Sequence, residues 1–406
     1  MKIPNLVKRV KNWFPKAQEQ IKEQANELEA KLTDSNLDPL SPEQRRPIED
    51  HLFQLDHPQP HIEAIATKLN EQLEKWQQGS DRNCLVVLCH PIENISTLLE
   101  QTLASGKIDP SLKVHPLSWS HRPLDYSTIL SELQDQIHPP ETNPTQPQLQ
   151  IIPDLSWCFL RCLYGLDGVE WLQHTLFKDQ SQFWLIGCND WMWHYLNRVY
   201  QWSTYFENTL SLPALEPVEI KHWLEPVREK LNFDFDFDDD DEEDDDDEDL
   251  EDSPWECIAE RQYFKRLAKV SLGTAPTVAQ LWLHSLQQQD AEDLENTPDA
   301  HVSAESSSQP IVLARVTLPK LPQLTKEERY LLFSIGLHGN LTLKQLALSL
   351  GNETTLAAVG ESPVTTQVQV LKRAGLIQNQ QGWLSIHPVH YPRLRNDLEA
   401  NHFLVD

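Results

Sequence analysis

The chain has 406 residues, 39% of them apolar, and a formal net charge of −28. That is long enough for two or three domains. One tract, 234–252, holds 16 acidic residues and no base, and removing it leaves −12 for the rest. The remainder is still acidic, which argues against broad nucleic-acid affinity, because that affinity depends on cation density. No run of about 18 apolar residues occurs, so no segment reads as a bilayer-crossing helix. Six cysteines in mostly apolar surroundings, with no secretory pattern ahead of them, point to a reducing cytoplasm. The 13 tryptophans read mainly as core and interface filler.

Residues 1–32 read as a basic amphipathic helix. Ile3, Leu6, Val7, Val10, Trp13 and Phe14 recur at helical spacing, and Lys2, Lys8, Arg9, Lys11 and Lys16 supply the polar side. Lys8, Arg9, Lys11 and Trp13 are therefore candidate partner-binding residues. Two readings stand: a helix lying on an anionic membrane surface through residues 2–16, or one docked on a protein or on its own chain. Residues 33–60, rich in Pro, Asp and Gln, read as a linker.

From residue 61 to 232 the pattern alternates. A helix over 61–78 precedes strands expected at 84–89, 113–119, 149–155, 183–188 and 210–212. Helices are expected at 92–105, 126–137, 159–177, 191–200 and 217–230. Strands alternating with helices imply a parallel sheet with right-handed crossovers. Residues 233–253 form an acidic tract that repels itself and cannot bury apolar area, so it reads as a solvated loop. It is also a candidate docking site for a basic protein partner. Residues 254–287 are helical with an interruption at 273–276, 288–323 read as a polar linker, and 324–406 read as a separate small domain.

Two strand ends draw attention. The run Phe183 to Ile186 ends in Gly187-Cys188-Asn189, delivering an amide to the carboxyl edge of the sheet, where open α/β sheets keep their ligands. The first strand runs into His90-Pro91-Ile92-Glu93-Asn94 without a glycine-rich loop or a lysine.

With these features the chain, over about residues 61–395, resembles the AAA+ and STAND-type ATPases: a parallel-sheet P-loop-NTPase-like α/β domain, a helical lid and a C-terminal winged helix. The resemblance implies that the turn beginning at His90 stands where the family places its phosphate loop. That loop needs glycines for close backbone approach and a lysine for charge. Here Pro91 removes an N–H and Glu93 adds negative charge. Ser96 or Thr97 would stand for the magnesium-binding hydroxyl. Asp154 matches the acidic strand end only in part, with Leu155 where a second acid is usual. Asn189 occupies the sensor position; the plainer reading is a cap for the helix that follows. Leu272-Gly273-Thr274-Ala275-Pro276 is similar to the family's lid turn but carries no arginine. The resemblance thus implies a vestigial nucleotide cleft (His90, Ser96, Thr97, Asp154, Asn189), no required cofactor and no catalysis.

In the tail, helices over 326–337, 343–350 and 364–374 and a hairpin over 376–386 look like a winged helix. DNA reading needs cations on the third helix, and only Lys372 and Arg373 lie there, at its end. Charge therefore favours a protein-docking module over a DNA reader. Cys158 and Cys162 share a helix face, but no second pair has zinc-like spacing, and no metal is expected. The expected role is a non-catalytic regulatory or scaffolding protein that binds protein partners. A DNA-binding regulator and a peripheral membrane adaptor are the alternatives.

Overall fold

The computed structural model describes residues 37–137, 147–231, 233–235, 254–289, 311–351 and 363–404. Lys8, Arg9, Lys11, Trp13 and the acidic tract beyond residue 235 lie outside them. The described chain opens with β1 (Leu37–Pro39) and α1 (Pro42–Phe53). Ser41 and Gln44 form a reciprocal capping box, and Pro42 sits in the first turn, where it costs no hydrogen bond. Ile48 and Leu52, one turn apart, are buried. Residues 33–60 are thus not a plain linker. Their charged and proline-rich composition hides a short apolar pair that anchors a helix.

Next come α2 (Gln59–Gln77), β2 (Cys84–Cys89), α3 (Ile95–Ala104), β3 (Lys113–Pro116), α4 (Ile129–Gln136), β4 (Gln148–Ile152), α5 (Asp167–Lys178), β5 (Phe183–Asn189), α6 (Asp190–Tyr200), α7 (Trp202–Tyr205) and β6 (Thr209–Ser211). The five strands form one sheet in the order β3-β4-β5-β2-β6. Every pairing is parallel, with Cys89 opposite Asn189. Both faces are covered, as a parallel sheet requires. Leu85, Val87, Leu149, Ile151, Phe183 and Leu185 pack under α2 and α3 on one side. Val86, Ile152, Trp184, Ile186 and Cys188 face the other helices. Gly187 is obligatory: a Cβ there would run into the Pro153 carbonyl and the side chain of Ile95, so α3 can lie directly across β5. The helix expected over 159–177 begins only at Asp167; residues 159–166 form a tight loop in which Leu160 N–H bonds back to the Gly165 carbonyl at 2.8 Å.

The lid follows as α8 (Pro217–Arg228), β7 (Phe233–Phe235), α9 (Ile258–Ser271), α10 (Ala275–Ser285), β8 (Leu286–Gln289) and β9 (Ile311–Leu313). Ile220 and Leu224, one turn apart on α8, share a core with Ile48, Leu52, Phe264, Leu267, Val278 and Trp282. The helix 217–228 therefore packs with the lid core rather than with the sheet. A small sheet, β1-β8-β9-β7, closes this unit. Residues 288–323 accordingly contribute a strand, with Val312 and Leu313 buried, where the sequence reads as a linker throughout. Gly273 (φ +63°) breaks α9 from α10 at the interruption seen in the sequence. Within the lid the fully buried Glu260 carboxylate accepts from Lys221 Nζ (2.8 Å), Arg228 (2.7 Å) and the Glu256 N–H (2.8 Å). Burial pushes that carboxyl up, but these three donors outweigh it and hold it below its ordinary value.

The C-terminal domain comprises α11 (Lys326–His338), β10 (Leu341–Thr342), α12 (Leu343–Ser349), α13 (Pro363–Arg373), β11 (Ile377–Gln380), β12 (Trp383–Ile386) and α14 (Tyr391–Ala400). The strands pair antiparallel in the order β10-β12-β11. Capping boxes at Thr325 and Thr342 start the first two helices. Its apolar side chains merge with those of the α/β domain into one continuous core.

Candidate functional site

The sites of open parallel sheets lie beyond the carboxyl ends of the strands. Here β2, β4 and β5 bring His90, Asp154 and Asn189 to that edge. His90, Asp154 and Asn189 each have a partner within the chain. The His90 N–H donates to a Glu93 carboxylate oxygen at 3.2 Å. A backbone donor of the kind that grips phosphate in a nucleotide domain is thus held by the protein's own acid. Asn94 caps α3 by accepting from Thr97 N–H (3.4 Å) and from the Ser96 hydroxyl (2.8 Å). Asp154 caps the short turn after β4 through Ser156 N–H at 2.8 Å. Burial pushes the carboxyls of Asp154 and Glu93 up; the Ser156 hydrogen bonds and the Arg122 charge oppose this at Asp154.

Asn189 does two things. Its Oδ1 accepts from Met192 N–H at 2.8 Å, capping α6, and its Nδ2 donates to the Leu337 carbonyl at 3.2 Å. Leu337 lies in the last turn of α11, so the sheet edge meets the carboxyl end of a helix. That end carries unpaired carbonyls and partial negative charge. Arg122, 1% exposed, answers them. Its guanidinium donates to the carbonyls of His338 (3.1 Å) and Asn340 (2.8 Å) on the C-terminal domain, and of Ser156 (2.5 Å) and Phe159 (2.8 Å) on the α/β domain. Burial draws its pKa down to about 10, with Asp154 opposing, so it stays charged at neutral pH.

The remaining contacts complete the closure. Tyr391 Oη lies 3.0 Å from His90 Nδ1, and an Asp190 oxygen lies 3.2 Å from the same nitrogen. Burial pushes the Tyr391 phenol far up, so it remains protonated. Arg161 N–H donates to His338 Nε2 (3.1 Å), while His338 Nδ1 sits 2.7 Å from the Ser334 carbonyl. That pairing fixes the neutral tautomer, and burial lowers this histidine's pKa well below the ordinary value. Trp191 stacks against Phe333 and Tyr391, and His121 stacks on Trp383 at 5.0 Å. Beside Asp190 and Trp191 a cavity of about 80 Å³ remains. Ligand pockets run to several hundred Å³.

The structure thus gathers His90, Asp154 and Asn189 at one edge and sets Ser96 and Thr97 on the first turn of α3. Lys372 and Arg373 end α13, both exposed. Arg122, Arg161, Tyr391 and His338 are the principal groups that sequence reasoning missed. The only local signal was the pre-proline Arg122 itself, which no motif marks.

No family model matches the chain, and no curated protein does. Solved structures do align along most of its length. The RuvB Holliday junction branch migration motor of Thermotoga maritima aligns at 15% identity and TM-score 0.30, covering 84% of this chain and 95% of its own. Cdc6p of Pyrobaculum aerophilum aligns at 10% and 0.32, covering 87% and 98%. The Aeropyrum pernix ORC2 protein, solved as ADPNP–ADP complexes, aligns at 15% and 0.32, covering 84% and 94%. Superpositions this loose carry no argument about function, and the α/β class rests on the five-strand parallel sheet itself.

Proposed function

We propose that this protein is a non-catalytic regulatory or scaffolding protein built on a degenerate AAA+/STAND-type frame. Its C-terminal winged-helix domain takes the place of a nucleotide. The observation that carries this reading is the carboxyl end of α11 seated at the edge of β5 and bonded by Asn189 and Arg122. A helix N-terminus at such an edge would welcome phosphate; a helix C-terminus repels it. The Glu93 carboxylate on the His90 N–H and the Asp190 carboxylate beside it work the same way. Joining the domains by four backbone carbonyls around one cation suits a unit whose geometry is its function. The partner surface we assign to the acidic tract and to the basic segment bearing Lys8, Arg9, Lys11 and Trp13, for a protein partner or, at the basic segment, a membrane surface. Phosphate release from ATP should stay at the rate of the buffer; a turnover that disappears on mutating His90 or Asp154 would reject the reading.

One observation favours a second reading, a DNA-binding regulator. Thr366, Gln369, Val370, Lys372 and Arg373 are exposed on α13. A mobility shift at physiological salt that vanishes on Lys372→Ala/Arg373→Ala would support that alternative.

A further inference from the structure

The lid meets the C-terminal domain along a seam that does not involve Arg122. The turn Pro388–His390 packs on α10, Thr277 Oγ1 donates to the Pro388 carbonyl at 3.2 Å, and Val389 is buried in the lid core. Three imidazoles converge there: His284 from the last turn of α10, and His387 and His390 from the turn. The charged groups acting on them are Arg45 on α1, Arg393 on α14 and one another. Every one of these is cationic when protonated.

Two features require neutral rings in the closed seam. His387 Nδ1 accepts the Val389 N–H at 3.3 Å. A proton on that nitrogen would turn the acceptor into a second donor and undo the cap. His390 is 8% exposed, and its Nδ1 is buried without a hydrogen-bond partner. A charge there would be desolvated and unpaired. Its ring centroid lies 6.2 Å from that of His387.

We propose that this seam is a proton-operated latch. It is closed while His284, His387 and His390 are neutral and opens when they take up protons. This does not depend on the fate of nucleotide at the other face.

The sign follows from linkage. Burial, then the neighbouring cations, lower His390 and His284 to about 4 from an ordinary 6.5. The closed seam therefore binds fewer protons than the open one. Closure is fully favoured above about 6.5 and is lost as pH falls toward about 4. At pH 5 the uptake by His390 alone shifts the balance toward opening roughly 30-fold. His284 is more exposed than His390, so solvent screens part of its share.

Hydrogen exchange on the full chain, corrected for the intrinsic pH dependence of exchange, reads this directly. Between pH 7.5 and pH 5 the amides of 277–285 and 387–391 should lose protection by about tenfold or more, and those of 85–88 and 184–187 in the main sheet should keep theirs. His284→Gln/His387→Asn/His390→Gln should flatten the response. His390→Gln alone removes the ring whose proton uptake carries most of the shift, should weaken the response, and serves if the triple variant does not fold. Unchanged protection at the seam in the wild type would overturn the proposal. So would the same loss in His390→Gln as in the wild type.

Discussion

Arg122 is a buried cation with no ion pair among the described residues, and that is stable only because four carbonyls from two domains surround it. Arg122→Ala would leave those carbonyls unsatisfied and should cost about 3 kcal/mol in urea denaturation. Arg122→Lys should recover little, because a single ammonium cannot reproduce the planar fork that reaches both domains at once. Asn189 was legible as a cap from its place at the end of an apolar strand. Its second bond, to Leu337, was not, because the partner lies 148 residues further along the chain. Arg122 was invisible for a related reason: hydropathy reads an arginine as surface, and only the folded neighbours reverse that.

At the level of elements, close approach decides. Gly336 lies in α11 where a Cβ would overlap the Trp191 ring. Gly336→Ala should push α11 from α6 and destabilise the docked domain by about 1–3 kcal/mol, read as a lower denaturation midpoint. In the lid, Glu260→Ala would leave Lys221 and Arg228 buried without their shared acid. The expected cost is about 3–5 kcal/mol, seen in the same assay. The central strands β2, β4 and β5 were legible because their buried runs are flanked by amphipathic helices. The small sheet of β1, β7, β8 and β9 was not. Three- and four-residue strands such as Leu37–Pro39 and Ile311–Leu313 are too short to show a period, and they pair only because the lid helices bring them together. The same blindness assigned α1 to a linker: two apolar residues, Ile48 and Leu52, do not make a visible stripe.

Across the whole molecule, the alternation of strands and helices announces the parallel sheet, while the way the other elements pack on it does not show in the sequence. The absent lysine and glycine-rich loop after β2 underlie the proposal that this turn holds no polyphosphate. They did not say what stands there instead. The structure supplies Tyr391 on His90 and the α11 carboxyl end on Asn189. The negative groups Glu93, Asp154 and Asp190 all act on Cys89 at the end of β2, raising its thiol pKa after burial has done so first. On the proposed reading, a triphosphate would have to displace a packed domain and enter a negative field, against interactions worth several kcal/mol.

Calorimetric titration of the full chain with ATP and magnesium tests that claim most directly. The predicted result is no saturable heat up to about 1 mM, where even binding worth about 4 kcal/mol would register. Saturable binding in the micromolar range, weakened by replacing His90 or Asn189, would contradict it.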